Sequence, residues 1–198
     1  MASTMLFALF LLSVLTFYPP SITAQPVTDM YGNVVTNGGI FHILPPITIG
    51  GGIKRIKTGN ETIPLSVARS PIWSDKGQKI RISSPYKSLF IPNGSPVSLE
   101  FELIPILGAS PTQWVAVAGL TEGTLVKVGY ENAITGSFSI HRIGINVYKL
   151  LFCTPRATLC GNVALVEDDA GNQLLAVTQK EPYGFVLEEI KSPSAASK

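Results

Sequence analysis

The chain has 198 residues, 45% of them hydrophobic, and a formal net charge of +2 from 15 basic and 13 acidic side chains. So weak a charge gives no reason to expect a nucleic-acid or polyanionic partner. This length suits one domain that buries roughly 70% of its unfolded surface, so the fold does not require more crosslinks than two cysteines can supply.

The first 24 residues form an uncharged segment that ends on the small residue Ala24. Such a segment is typical of a secretory signal peptide, although positive charge near Met1 is missing. Its apolar run, Met5 to Tyr18, is short for a membrane span. We expect residues 25–198 to be exported, to the extracellular space or the vacuole, as a monomer without membrane contact.

The sequence after the signal peptide predicts an all-β domain over residues 25–190. Short alternating runs are separated by glycine, proline and asparagine, and no helical period lasts beyond two turns. Residues 191–198 lack large apolar side chains and predict a disordered tail. About twelve closely spaced strands, typical of a barrel or sandwich, are predicted at Gly39 to Leu44, Ile53 to Lys57, Leu65 to Ser70, Lys79 to Ser83, Val97 to Leu103, Trp114 to Ala118, Val126 to Gly129, Ser137 to Ile143, Tyr148 to Cys153, Asn162 to Glu167, Leu174 to Thr178 and Gly184 to Ile190.

The two cysteines, Cys153 and Cys160, enclose only TPRATL. In an oxidising compartment this spacing favours a disulfide, worth roughly 2 to 3 kcal/mol by the chain-entropy relation. A redox pair or half of a metal site fits the spacing less well.

Two sequons offer glycosylation sites, at Asn60 and Asn93. The first, Asn60-Glu61-Thr62, follows a Thr-Gly turn. The second, Asn93-Gly94-Ser95, is followed by Pro96, which disfavours its modification. Asn60 is therefore the better candidate.

Catalytic groups are scarce. The only histidines, His42 and His141, lie on strand-like runs, where a half-exposed structural role is the commoner one. No nucleophile and base pattern or metal-ligand cluster occurs, and the glycines at 50–52 do not precede a helix as a phosphate-binding loop would. The sequence predicts no enzyme, no catalytic residue, no metal and no cofactor.

The mature chain begins with a segment, VTDMYGNVVTNGGIFHILP at 27–45, that closely resembles the opening signature of plant Kunitz inhibitors of the soybean trypsin-inhibitor type. The resemblance continues through GGGIKRIKTGNETIPLSV, SPTQWVAV and NVYKLLFCTPRATLCGNVAL, and so covers nearly the whole mature chain. It implies a β-trefoil, in which three hairpins cap a six-stranded barrel. The count of strands alone leaves this choice open.

The protease-binding loop of that family follows the fourth strand, where this chain has ISSPYKSLF at 82–90. The resemblance places Lys87 immediately before the scissile bond and implies that Asn37 supports the loop. It also implies that the protein is a competitive inhibitor of trypsin-like serine proteases. A lysine suits the primary pocket of such proteases, which has an aspartate at its base. The implied reactive-site loop consists of Ser84, Pro85, Tyr86, Lys87, Ser88, Leu89 and Phe90.

The chain departs from the family in lacking a second disulfide, whose positions align with Ile63 and Leu107. Other functions stay open. Arg156, inside the cysteine-bounded loop, could be the bait, or the target could be another class of protease. A non-inhibitory trefoil for storage, carbohydrate or receptor binding is the remaining alternative, with Thr112 to Trp114 as a faint lectin-like motif.

Overall fold

The computed structural model describes residues 25–47, 50–102, 111–155 and 160–190, and this part of the chain contains thirteen β-strands. The expected signal peptide, the expected tail, Leu107 and Arg156 lie outside it. No helix among the described residues is long and apolar enough to cross a membrane. The strands are β1 (Gly39–Leu44), β2 (Ile53–Ile56), β3 (Ser66–Arg69), β4 (Ile80–Ser83), β5 (Pro96–Phe101), β6 (Trp114–Leu120), β7 (Gly123–Val128), β8 (Ala133–Ile134), β9 (Ser137–Gly144), β10 (Val147–Cys153), β11 (Gly161–Glu167), β12 (Gln173–Thr178) and β13 (Val186–Glu189).

The fold is a β-trefoil, as the resemblance implied. Six strands form the barrel, in the order β13-β1-β4-β5-β9-β10. The backbones of Tyr148 and Phe185 exchange two hydrogen bonds of 2.8 Å, which join β10 to the chain entering β13 and close the ring. The hairpins β2–β3, β6–β7 and β11–β12 form the cap, in which β3, β7 and β12 pair with one another.

All twelve predicted strands are present, and period-two burial is clearest in β1, β4, β5 and β10. In β5 the side chains of Val97, Leu99 and Phe101 are buried, and those between them are half-buried. The core they join includes a run of aromatic contacts, with Trp114 between Phe101 and Phe138 at centroid distances of 5.5 and 6.4 Å. The sequence missed β8, which has only two residues and so carries no period.

The direction of the barrel strands places the loop after β4 opposite the cap. Ser83 pairs with Ser98 where this loop begins, whereas Ile80 pairs with Phe101 at the other end of the same two strands. Strand β1 starts at the loop end, since Gly39 pairs with Ile82. The segment before β1 therefore lies beside the loop.

Two turns of the sequence form D-x-x-G-N have the same hydrogen bonds. In each, the aspartate carboxylate accepts bonds from two backbone N–H groups and from the asparagine side chain, at 2.8 to 3.0 Å. The glycines, Gly32 and Gly171, have φ of +86° and +80°, values that glycine adopts without steric cost. The two turns are Asp29–Asn33 and Asp168–Asn172.

Two glycines of the run at 50–52, Gly51 and Gly52, pack closely against backbone carbonyl groups. A Cβ on Gly51 would lie 2.2 Å from the carbonyl oxygen of Ile72, and one on Gly52 would lie 2.0 Å from that of Lys76. The segment they contact is fixed by Asp75. This carboxylate accepts hydrogen bonds from Lys54 Nζ, Ser70 Oγ and the backbone N–H of residue 77, which together lower its pKa to about 2.

A buried ion pair between Glu61 and Lys127 anchors the turn between β2 and β3. The side chains are only 9% and 5% exposed. Glu61 also accepts hydrogen bonds from the backbone N–H groups of Thr58 and Leu65. Burial raises the pKa of Glu61, but the bonds from Lys127, Thr58 and Leu65 outweigh it and the pKa is lowered. Ile63, at one position of the missing disulfide, is 41% exposed, so polar contacts rather than its packing hold this turn.

Candidate functional site

The loop Ser84–Phe90 exposes four of its seven side chains. Leu89 is 91% exposed and Tyr86 57%, and Pro85 and Lys87 are also exposed, whereas Ser84, Ser88 and Phe90 are half-buried. Within the described part of the chain, the Lys87 ammonium has neither an ion pair nor a hydrogen bond. The loop therefore offers a lysine that is available to an outside partner.

Asn37 holds this loop from beneath with its side-chain amide. Its Nδ2 atom lies 3.3 Å from the carbonyl oxygens of Ser84 and Tyr86 and 3.0 Å from that of Ser88. Its Oδ1 atom accepts a bond of 2.8 Å from the backbone N–H of Ser84. One side chain thus contacts the backbone on both sides of Lys87.

The loop also makes hydrogen bonds of its own. The backbone N–H of Ser88 donates to the carbonyl oxygen of Tyr86 at 2.8 Å, forming a three-residue turn centred on Lys87. The hydroxyls of Ser84 and Ser88 accept longer bonds of 3.3 Å from the N–H groups of Tyr86 and Phe90. Pro85 fixes its own φ and restricts Ser84, which narrows the loop's conformations further.

The position of Asn37 depends on the residues that follow it. Gly38 has φ of +81°, a left-handed conformation that turns the chain into β1. The N–H of Gly38 donates to Ile82 at 2.8 Å, and its carbonyl oxygen accepts a bond of 2.9 Å from Arg81 Nη1. The backbone N–H of Asn37 donates to Leu89 at 3.0 Å, so the supporting residue is itself attached to both ends of the loop.

Arg81 is a bracing residue that the sequence did not reveal. Besides its bond to Gly38, it forms an ion pair of 2.9 Å with Glu102, so the guanidinium links the Asn37 turn to the end of β5. The motif ISSPYKSLF begins one residue later, and no local pattern indicates that Arg81 reaches a carbonyl oxygen 43 positions away. Only the pairing of β1 with β4 brings them together.

The remaining candidates lie apart from this loop. Burial lowers the pKa of both His42 and His141, and the nearby charge of Lys149 lowers that of His141 further. The described residues contain no group of three or more His, Cys, Asp or Glu side chains that could hold a metal ion. The expected disulfide between Cys153 and Cys160 is formed at the cap end of β10.

Comparison with known proteins identifies relatives along most of the chain. The sequence matches the Kunitz legume family model, described as "Trypsin and protease inhibitor", over residues 27–189. Trypsin inhibitor A of Glycine max is 38% identical over 208 aligned residues, covering 100% of this chain and 96% of that protein. Chymotrypsin inhibitor ECI of Erythrina variegata is 37% identical over 180 residues, covering 86% of this chain and 99% of that protein. The inhibitor chain in a solved complex of porcine pancreatic trypsin with soybean trypsin inhibitor superposes with a TM-score of 0.79 and 38% identity, covering 84% of this chain and 100% of that chain.

Proposed function

The chain belongs to the Kunitz legume family of trypsin and protease inhibitors, and from this we propose that it inhibits trypsin-like serine proteases through Lys87. The proposal takes residues 25–190 as the inhibitory domain, exported behind a signal peptide and acting as a monomer. The reactive-site loop is Ser84–Phe90, and the bond presented for attack joins Lys87 to Ser88.

This proposal rests on the position of the Asn37 side chain. Its Nδ2 atom contacts the carbonyl oxygens of Tyr86 and Ser88, which lie on either side of Lys87. Lys87 itself is exposed, so its side chain can enter a deep pocket while the backbone keeps its shape. The ammonium then meets the pocket aspartate, and the methylenes contact the apolar walls.

Inhibition rather than digestion follows from the support of the loop. When the protease serine attacks the carbonyl carbon of Lys87, an acyl-enzyme forms and Ser88 gains a free amino group. Because Asn37 holds the carbonyl of Ser88, that amine stays beside the ester and can attack it, which re-forms the peptide bond and releases the serine. Low conformational freedom before binding also reduces the entropic cost of association.

The direct test is steady-state inhibition of trypsin by residues 25–198, measured beside two variants. We expect Lys87→Ala to raise the inhibition constant about 30-fold or more, which corresponds to the loss of about 2 kcal/mol at an interface hot spot. Lys180→Ala, a change at an exposed lysine elsewhere, should leave the constant unchanged. If the parent does not inhibit, or is digested at Lys87 without inhibiting, the proposal fails.

The assignment of trypsin-like proteases as the target rests on Lys87 alone. A relative named as a chymotrypsin inhibitor has 37% identity to this chain, so the scaffold accommodates different targets in the family. We therefore expect Lys87→Tyr to weaken inhibition of trypsin and to introduce inhibition of chymotrypsin. If the parent binds a glycan but not trypsin, a non-inhibitory function is favoured. If it binds a protease of another class but not trypsin, that class is the target.

A further inference from the structure

The two sequons of this chain lie in different surroundings. Asn60 is in the β2–β3 turn of the cap, whereas Asn93 is in the segment that leads from the proposed reactive loop into β5. Both carry the Asn-X-Ser/Thr pattern that N-glycosylation requires. What distinguishes them is how each asparagine and its hydroxyl partner are engaged.

The side chain of Asn60 is exposed and makes no hydrogen bond within the described part of the chain. Thr62, which supplies the sequon hydroxyl, is likewise exposed and unbonded there. The turn itself does not depend on either residue, because it is closed by a bond of 3.2 Å from the Glu61 N–H to the Thr58 carbonyl oxygen and by the buried Glu61 carboxylate. A group attached to Asn60 would displace no contact.

Asn93 is engaged at both ends of its sequon. Its Oδ1 atom accepts a bond of 2.7 Å from the backbone N–H of Arg142, and its own N–H donates to Gln25 at 2.8 Å. The hydroxyl of Ser95 donates to the carbonyl oxygen of Pro92 at 2.7 Å. Pro96 further restricts the backbone of Ser95 to extended conformations. This sequon is part of the packing between the segment at Gln25, β5 and β9.

We propose that Asn60 carries an N-linked glycan and that Asn93 remains unmodified. In the reaction, the Asn60 amide nitrogen bonds to C1 of N-acetylglucosamine and loses a proton. The C1–O bond to a lipid-pyrophosphate oligosaccharide donor of the secretory pathway breaks, and the lipid pyrophosphate leaves. The disulfide between Cys153 and Cys160 indicates the oxidising compartment in which this donor is met.

The surface around Asn60 suits a sugar. An open groove beside it is lined by Tyr130, Glu122, Asp168 and Asp169. An aromatic ring can pack against the face of a pyranose, and carboxylates accept hydrogen bonds from its hydroxyls. Because the cap lies at the opposite end of the barrel from Lys87, the glycan should leave protease binding unchanged.

The test is to secrete the chain from a human cell line behind a vector leader and to map glycopeptides before and after peptide N-glycosidase F. The parent protein should carry sugar at Asn60 alone, which is detected as the conversion of Asn60 to aspartate by peptide N-glycosidase F. Thr62→Ala should abolish the glycan and Thr62→Ser, which keeps the sequon, should retain it. Asn93→Gln should change nothing in the glycan mass.

Secreted parent protein without sugar on Asn60, or with sugar on Asn93, would overturn the proposal. Trypsin inhibition is measured separately on the parent and on Thr62→Ala, and we expect equal constants. Since occupancy is read by mass and not by inhibition, a protein that is glycosylated but does not inhibit trypsin would contradict the proposed function only.

Discussion

The Nδ2 atom of Asn37 lies 3.0 Å from the carbonyl oxygen of Ser88, the residue that follows Lys87. Asn37→Asp removes this donor while keeping the Oδ1 acceptor for the N–H of Ser84. The substitution thus removes the three hydrogen bonds that Asn37 Nδ2 donates to loop carbonyl oxygens, each worth roughly 1 kcal/mol or less. Their loss should raise the inhibition constant for trypsin about 10- to 30-fold and speed cleavage after Lys87. Inhibition kinetics and peptide mapping after long incubation measure both effects.

Unchanged melting of Asn37→Asp would show that the loss is local to the loop. A variant that inhibits as tightly as the parent and is cut no faster would mean that the loop keeps its shape without the asparagine.

Leu89 should contribute a contact of its own to the protease. It is 91% exposed and lies two residues after Lys87, whereas Ile145, at the tip of the β9–β10 hairpin, is equally exposed at 92%. Partial burial of a leucine at an interface is worth about 1 kcal/mol, so Leu89→Ala should weaken trypsin inhibition about fivefold. Ile145→Ala is the matched control and should have no effect. Equal effects of the two changes would contradict a specific role for Leu89.

Breaking the buried pair of Lys127 and Glu61 should strongly destabilise the cap. Lys127→Met leaves the Glu61 carboxylate buried without its cation, at a cost of about 3 to 5 kcal/mol in the free energy of unfolding. Adding Glu61→Leu should recover part of this loss, since no uncompensated charge then remains. Urea unfolding of the parent, the single variant and the double variant measures the difference. A double variant less stable than Lys127→Met would argue against this account.

Asp75 should make stability depend on acid pH. Its pKa is lowered from 3.8 to about 2 by bonds from Lys54, Ser70 and residue 77. A lowered pKa in the folded state means that the stabilisation is present above pH 4 and is lost as the pH falls toward 2. The melting temperature of Asp75→Asn should therefore lie below that of the parent at pH 6, and the gap should shrink between pH 4 and 2. Asp169→Asn, at an exposed aspartate, serves as the control, and a gap independent of pH would contradict the assignment.

The disulfide should stabilise the fold without serving inhibition. Replacing both Cys153 and Cys160 by serine should reduce the free energy of unfolding by roughly 2 to 3 kcal/mol, the chain-entropy value for so short a ring. Trypsin inhibition should persist under conditions where the variant is folded, because the ring lies at the cap end of the barrel. Loss of inhibition in this variant, with Lys87→Ala still active, would transfer the bait to Arg156.

Local patterns predicted twelve of the thirteen strands that the structure describes. Alternation of apolar and polar residues along β4 and β5 matches their alternating burial, and the turns between strands carry glycine, proline or asparagine. Selection of a trefoil among all-β folds required the family resemblance, because strand number and spacing are similar in barrels and sandwiches. The pairing of β3, β7 and β12 that defines the cap leaves no local mark in the sequence.

The contacts that support the candidate site could not be predicted from local pattern. The partners of the Asn37 side chain lie 47 to 51 residues away, and Arg81 reaches Gly38 across 43 residues. Lys127 lies in a run that predicts an apolar strand, yet it is buried against Glu61, 66 positions earlier. Such polar contacts depend on which strands become neighbours, so they follow from topology and only the resemblance could anticipate the role of Asn37.

The two D-x-x-G-N turns, Asp29–Asn33 and Asp168–Asn172, have a consequence for the order of folding. All their carboxylate bonds join residues at most four positions apart, so closing them costs little chain entropy. Both reversals can form within the unfolded chain, before any strand finds a distant partner. The barrel also requires β1 to pair with β13, where the partners Phe41 and Glu189 are 148 positions apart, so the rate of folding should be set by that late, long-range step rather than by the corners of the chain.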